Sequence, residues 1–202
     1  VISIFFFILI SLGVAVLIIV MSVMYGFRTE LINKIVGFNS HITVKSYEKK
    51  YTDPARLNNS QLNSISKNLI SSNSGEAIII QKDISKGIVL RGYSKNDFSK
   101  LEIIKDETFI GDRNNLTKNH ISIGKELSFT LGLKIGDDVT IMSSSGVKTI
   151  IGNLPKKKIF TVISLFESGL ADFDNNIAFI NLDTLDEFFN LDKNNRNLEI
   201  YL

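Results

Sequence analysis

From Val1 to Phe27 the chain holds no Asp, Glu, Lys, Arg, His or Pro, and its first charge is Arg28. A helix needs about 20 apolar residues to cross a bilayer. In hydrocarbon a backbone must satisfy its own hydrogen bonds, and a helix does so. The pattern predicts a transmembrane helix over 1–27. A signal peptide would have a shorter apolar centre and a small-residue cleavage site; here no A-x-A pattern precedes Arg28. A buried core helix would rarely stay apolar on every face for so long.

From Arg28 the pattern turns amphipathic. Phe27, Leu31, Ile35 and Phe38 recur at helical spacing with Arg28, Glu30 and Lys34 between them, which predicts a helical extension over 28–40 that packs under the following domain. The remainder, 41–202, reads as one mixed domain. His41–Ser46 alternates as a strand. Asp53-Pro54 opens a helix whose face is Leu57, Leu62, Ile65 and Leu69, ended by Ser71–Gly75. Glu76–Gln81 and Gly87–Tyr93 are strands around a turn at Lys82–Lys86. Ser94 caps a short helix to Leu101. The polar stretch Ile103–Asn119 reads as a surface excursion.

Ile121–Gly124 is a strand, and Lys125–Leu131 a helix closed by Gly132. Gly136-Asp137-Asp138 turns into a strand at Val139–Met142. Ser143–Lys158 interrupts the strands, which resume at Ile159–Phe166 and Asn176–Leu182. Asp183 caps a helix to Phe189, and Leu198–Leu202 begins another strand. Strands and short helices alternate without a βαβ period, so the expected class is α+β.

Composition changes the picture only by exclusion. The 23 Lys and Arg nearly cancel 21 Asp and Glu, for a net charge of +2, and no clustered basic face argues for nucleic acid. Without Cys there is neither a disulfide nor a thiolate metal site. No phosphate loop and no G-x-S-x-G elbow occurs. His41 and His120 stand far apart without zinc-ligand spacing. Glu167, Asp172 and Asp174 lack the ordered calcium loop and read as a solvated acidic turn. An enzyme has nothing here to work with, and no cofactor is expected on this chain.

One stretch asks for a partner. Ser143–Lys158 is too long for a tight hairpin loop of about two to five residues. Its middle carries Val147, Ile150, Ile151 and Leu154, and its return carries Pro155 and Lys156–Lys158. Exposed apolar residues on a loop need burial in something else, and the lysines suit an acidic partner. The alternative is that Ile150 and Ile151 fold back on the sheet and the lysines are merely solvated.

Four stretches carry a resemblance, in order. They are Ser11–Val16 through Ser22–Phe27, Gly87–Gly92, Ile123–Leu127 with Leu131–Asp137, and Gly152-Asn153-Leu154-Pro155 to Phe160–Val162. Together they resemble the permeases of lipoprotein-releasing ABC transporters. The Leu-Gly-Leu-Lys-Ile-Gly-Asp piece is shared with macrolide-exporter-type and cell-division-type permeases. The resemblance implies a fragment of a permease with four membrane helices, whose large periplasmic domain lies between the first and second. It implies a bacterial inner-membrane location, an ATPase subunit, a second permease (the same or a related one), a lipoprotein substrate and a soluble periplasmic carrier. ATP hydrolysis would belong to the ATPase subunit.

The carrier-gripping hook of that family falls at Ser143–Lys158. This assigns Val147, Thr149, Ile150, Ile151, Gly152, Asn153, Leu154, Pro155, Lys157 and Lys158 to carrier binding. Family hooks place Pro and Met near the tip, where this chain has Ile150 and Ile151. Val23 and Met24 match positions facing the bound lipoprotein, and Tyr25 stands where Asn is common. A missing initiator Met and an end in mid-strand lead to the expectation that the chain continues at both ends. The alternatives are an exporter or cell-division permease of the same superfamily, or a single-pass membrane sensor.

Overall fold

The computed structural model describes residues 2–45, 66–149 and 152–202, without the side chains of 33–38 and 144–153. It divides into two units, Val1–Gly37 and Phe38–Leu202. The first is helix α1, Ile2–Phe38. Within it, Ile2–Ile32 is long and apolar enough to cross a membrane, and none of its most apolar stretch is buried. The packing expected of the 33–38 face falls on side chains outside the description.

The second unit is α+β. Its strands are β1 (Ile42–Val44), β2 (Asn68–Gln81), β3 (Ile84–Tyr93), β4 (Ile110–Gly111), β5 (His120–Gly124), β6 (Asp138–Thr149), β7 (Gly152–Phe166), β8 (Ile177–Asn181) and β9 (Asn197–Tyr201). Its helices are α2 (Lys95–Phe98), α3 (Glu102–Lys105), α4 (Lys125–Leu131), α5 (Ala171–Asn176) and α6 (Leu182–Phe189).

Six strands close on themselves. β2 pairs β3, β3 pairs β8, β8 pairs β5, β5 pairs β7, β7 pairs β6, and β6 returns to β2. Alternate residues of each strand point inward. Each strand gives the interior two side chains: Ala77 and Ile79, Ile88 and Leu90, Ala178 and Ile180, Ile121 and Ile123, Phe160 and Val162, Val139 and Ile141. Leu127 and Leu131 of α4, and Leu185 and Phe188 of α6, complete this core. Gly92 permits α6 to approach, since a Cβ there would lie 3.0 Å from Leu185 Cβ. Gly124 permits α5 to approach, since its Cβ would fall 1.9 Å from the Asp174 carbonyl oxygen.

A second core lies against the other face of the sheet. Phe166 and Phe179 pack at a tilt with centroids 4.8 Å apart, and Tyr93 and Phe98 close in on Phe179 at 5.8 and 5.9 Å. Ile103, Ile104, Phe109 and Leu116 are buried here. The expected surface excursion at 103–119 is therefore a core element. Its four buried apolar residues show no extended periodicity along the sequence and find burial only through tertiary packing.

Further expectations are corrected. Asn68–Gln81 is one strand, so Leu69 and Ser71–Gly75 belong to no helix; residues 46–65 of that expected helix lie outside the described residues. Ile70, Ser72, Ala77 and Ile79 are buried on alternate positions of two opposite faces, a pattern the Ser and Asn residues conceal. The β2–β3 turn is two residues, Lys82-Asp83, because Gln81 pairs Ile84; Lys82 takes the positive φ of 52°. The cap of α6 is Asn181, whose Oδ1 accepts from Asp183 N and Thr184 N. Asp183 instead accepts from Arg196 and Lys193. Asp174 is buried rather than solvated, and its carboxylate accepts twice from Ser168 N, at 2.9 and 3.1 Å. Burial pushes that carboxyl above the usual aspartate range.

The α4 reading holds: Gly132 ends it at φ 63°, in the left-handed region. Ser94 Oγ caps α2 by accepting from Asp97 N.

Two measurements follow from this packing. Gly124→Ala forces the α5 backbone away and lowers stability by about 1–3 kcal/mol in denaturant unfolding. Hydrogen bonds from Arg196 and Lys193 hold the Asp183 carboxyl below its usual range. Its contribution is thus present above the unfolded value and lost as pH falls through the folded one. Asp183→Asn is accordingly less stable than the parent at about pH 7, and the gap closes as pH falls below the usual carboxylate range.

Candidate functional site

The β6–β7 ladder runs from Asp138↔Thr161 to Thr149↔Gly152. The interruption expected at Ser143–Lys158 is therefore a continuation of both strands, with only positions 150 and 151 between them. Its register shifts between Met142, opposite Lys157, and Gly146, opposite Pro155. Extra residues on one strand bend it and end its regular pairing. Ser143 is also the last β6 residue that pairs with β2. Beyond the bulge, residues 146–149 and 152–155 pair only with each other among the described residues. They form a two-stranded arm standing off the ring.

The sequence-assigned residues divide into groups. Val147, Thr149, Gly152 and Asn153 lie on the arm's ladder. Ile150 and Ile151 lie outside the described residues. Leu154 is 54% exposed, and Pro155 is exposed beside it. Pro155 has no N–H to offer a ladder, and the bulge is a place where a strand tolerates that. From Val139 to Phe166 the chain carries Lys148, Lys156, Lys157 and Lys158 and no acid.

The three lysines do not act alike. Alternation sends Lys156 and Lys158 to the face that continues into the core at Phe160, and Lys157 to the opposite face. Lys156 Nζ donates to the Glu187 carbonyl at 2.9 Å and to Asn190 Oδ1 at 2.5 Å. The last carbonyls of a helix favour a cation, so Lys156 ties the arm's root to the end of α6. Lys158 Nζ sits 5.3 Å over the Phe160 ring. Burial holds its ammonium below the ordinary lysine value, against Glu187 and with the help of Lys118. Lys157 is exposed. These lysines and Thr184, Glu187 and Phe188 line a recess of about 280 Å³. The expectation of a uniform basic run facing a partner is thus corrected at Lys156. Its acceptors stand about 30 residues along the chain, beyond any local sequence signal.

On α1, Val23 is 65% and Met24 62% exposed. Both histidines are engaged in the fold. His120 Nδ1 donates to the Asn115 carbonyl at 2.6 Å, and His41 Nδ1 accepts from Leu202 N at 3.3 Å. Glu167 pairs with Lys125 at 2.7 Å. Among the described residues no three His, Cys, Asp or Glu side chains gather to hold a metal.

A family model described as the MacB-like periplasmic core domain matches residues 3–202. The chain belongs to that family. Among curated relatives, the lipoprotein-releasing system transmembrane protein LolC of Xylella fastidiosa is 27% identical over 190 residues, covering 91% of this chain and 45% of that protein. The LolC protein of Neisseria meningitidis serogroup B is 27% identical over 198 residues, covering 96% and 47%. The chain spans about half the length of the curated relatives it matches. Among solved structures, the periplasmic region of MacB from Actinobacillus actinomycetemcomitans gives a TM-score of 0.48 at 11% identity, over 80% of this chain and 67% of that one. A domain of a putative permease from Porphyromonas gingivalis gives 0.47 at 13%, over 75% and 61%.

In this MacB-like domain, Lys156→Met removes the tie to α6 and lowers stability by about 1 kcal/mol, whereas Lys157→Met leaves thermal unfolding unchanged. Parallel thermal melts of the two variants check the division.

Proposed function

We propose that this chain is part of the permease subunit of a bacterial ABC transporter that draws lipoproteins from the inner membrane and passes them to a periplasmic carrier. The observation that carries the reading is the arm, residues 146–149 with 152–155, whose strands leave the ring and pair with each other. A ribbon whose strands pair only with each other among the described residues, with Leu154 exposed, has apolar surface to give a partner. The names of the LolC relatives support the same reading. α1 anchors the domain at the membrane, and the domain stands in the periplasm. ATP is hydrolysed on a separate ATPase subunit, a second permease completes the pair, and this chain carries no cofactor.

The roles follow from the cost of wetting acyl chains, about 0.8 kcal/mol per CH₂. Val23 and Met24 offer the lipid an apolar wall, and the docked carrier receives it. Val147, Thr149, Ile150, Ile151, Gly152, Asn153, Leu154 and Pro155 grip the carrier, with Lys157 and Lys158 at the root. Lys156 serves the fold instead.

The test is binding of the full chain in detergent to the purified lipoprotein carrier. Ile150→Asp with Ile151→Asp, or Leu154→Asp alone, is expected to weaken binding at least tenfold while leaving the melting curve in place. Failure of the parent chain to bind any carrier would favour an exporter or cell-division role for the same fold.

A further inference from the structure

Among the described residues, the partly buried Arg91 of β3 meets the buried carboxylate of Glu199. Glu199 of β9 is 5% exposed and accepts from four side chains. Its Oε1 takes Ser72 Oγ at 2.6 Å and Arg91 Nη2 at 3.1 Å; its Oε2 takes Tyr93 OH at 3.0 Å and Tyr201 OH at 2.8 Å. Arg91 Nη1 donates on to Asn39 Oδ1 at 3.2 Å. Burial pushes both phenols well above the ordinary tyrosine value, so they stay neutral donors. A buried ion pair is weak support for stability, because desolvation offsets much of its attraction. Its best-attested use is to select one register among several.

On the face of Leu198 and Ile200 the apolar pattern of β9 leaves the register open, whereas Tyr201 on the other face is buried in the aromatic core. The strand lies between β1 and β2, with Leu69↔Ile200, Ile70↔Glu199 and Ser71↔Leu198 on one side and Ile42↔Ile200 on the other. A two-residue slip keeps every side chain on its own face. It would set Leu198 opposite Leu69 in place of Ile200, one apolar residue for another. On the opposite face the same slip sets Asn197 opposite Ile70 and carries the Glu199 carboxylate about 6.7 Å along the strand. That distance breaks the contacts to Arg91, Tyr93 and Ser72 together and leaves the partly buried guanidinium without its anion.

We propose that the Glu199–Arg91 cluster is a register clamp, which selects one of several apolar-compatible pairings of β9 and so fixes Leu202 beside His41. Asn39 and His41 stand at the start of the domain and β9 at the end of the described chain, so the clamp sets the spacing of the two. Asn39 and Leu202 N then each contribute one hydrogen bond to the junction. The inference is independent of which substrate or partner the domain serves.

The chain contains no Cys, so introduced pairs report register without background. Two reporters are made in the full chain in detergent: Leu69→Cys with Ile200→Cys for the observed register, and Leu69→Cys with Leu198→Cys for the slipped one. With the clamp intact, mild oxidation cross-links only the first. With Arg91→Met and Glu199→Leu, an apolar replacement expected to fold, the slipped pair is expected to cross-link to at least a tenth of the yield of the observed pair. Cross-linking of the observed pair alone in that background would overturn the clamp. Should the apolar variant show no cooperative unfolding, Glu199→Gln is read the same way: slipped product supports the clamp, and its absence overturns it.

Discussion

One edge of β2 is shared by two strands, and the rest of the domain is arranged around that sharing. Residues 68–72 of β2 pair with β9, and residues 77–80 pair with β6. A strand edge offers one row of N–H and C=O groups, so the two neighbours exclude each other. β6 closes the six-membered ring at its lower part, and a direct continuation of it would run into the place that β9 holds. The chain resolves this with the bulge after Met142, where β6 departs with β7 as its one partner. The arm and the ring are thus two outcomes of the same competition for backbone hydrogen bonds.

β2 also changes the face it buries along its length. Ile70 and Ser72 face the aromatic core, while Ala77 and Ile79 face the ring interior, with no break in the register against β3. One continuous strand therefore serves both cores, with Asn73 and Gly75 at the crossing. Asn73 Nδ2 donates to Asp186 of α6 at 3.0 Å, and a Cβ on Gly75 would collide with Phe189 at 2.6 Å. The crossing is held by α6, the same helix that Lys156 ties to the root of the arm. Arm, ring and second core meet at α6 through a hydrogen bond, a glycine contact and an ammonium at the helix end. The carrier-binding role proposed for the arm draws on that rigid base, because a ribbon can present a tip only as firmly as its root is held.

Much of the domain was legible along the chain wherever a local rule had no rival. The apolar run gave α1, alternation gave β1, and Gly132 closed α4 at a position only a left-handed residue suits. Reading failed where residues served two partners at once. The polar residues of 68–75 looked like a helix end because their buried positions alternate between two cores. Ile103, Ile104, Phe109 and Leu116 looked like a surface excursion because they meet the aromatic core from a single helical turn and the irregular backbone after it. Ser143–Ser145 looked like a loop, since three serines carry no strand signal, and the pairing of Ser143 is decided by β2.

What the sequence alone determined is the long apolar helix, the α+β class, the lack of thiol chemistry and the place in the chain where apolar and basic residues crowd together. These follow from local composition and period, which act through the nearest turn of backbone. Tertiary structure decided which edge each strand takes, that Lys156 belongs to α6 while Lys157 remains exposed, and that Glu199 finds Arg91 across 108 residues. Such choices depend on competition among distant strands for a finite set of hydrogen-bonding edges and buried sites, and no stretch of sequence contains both competitors.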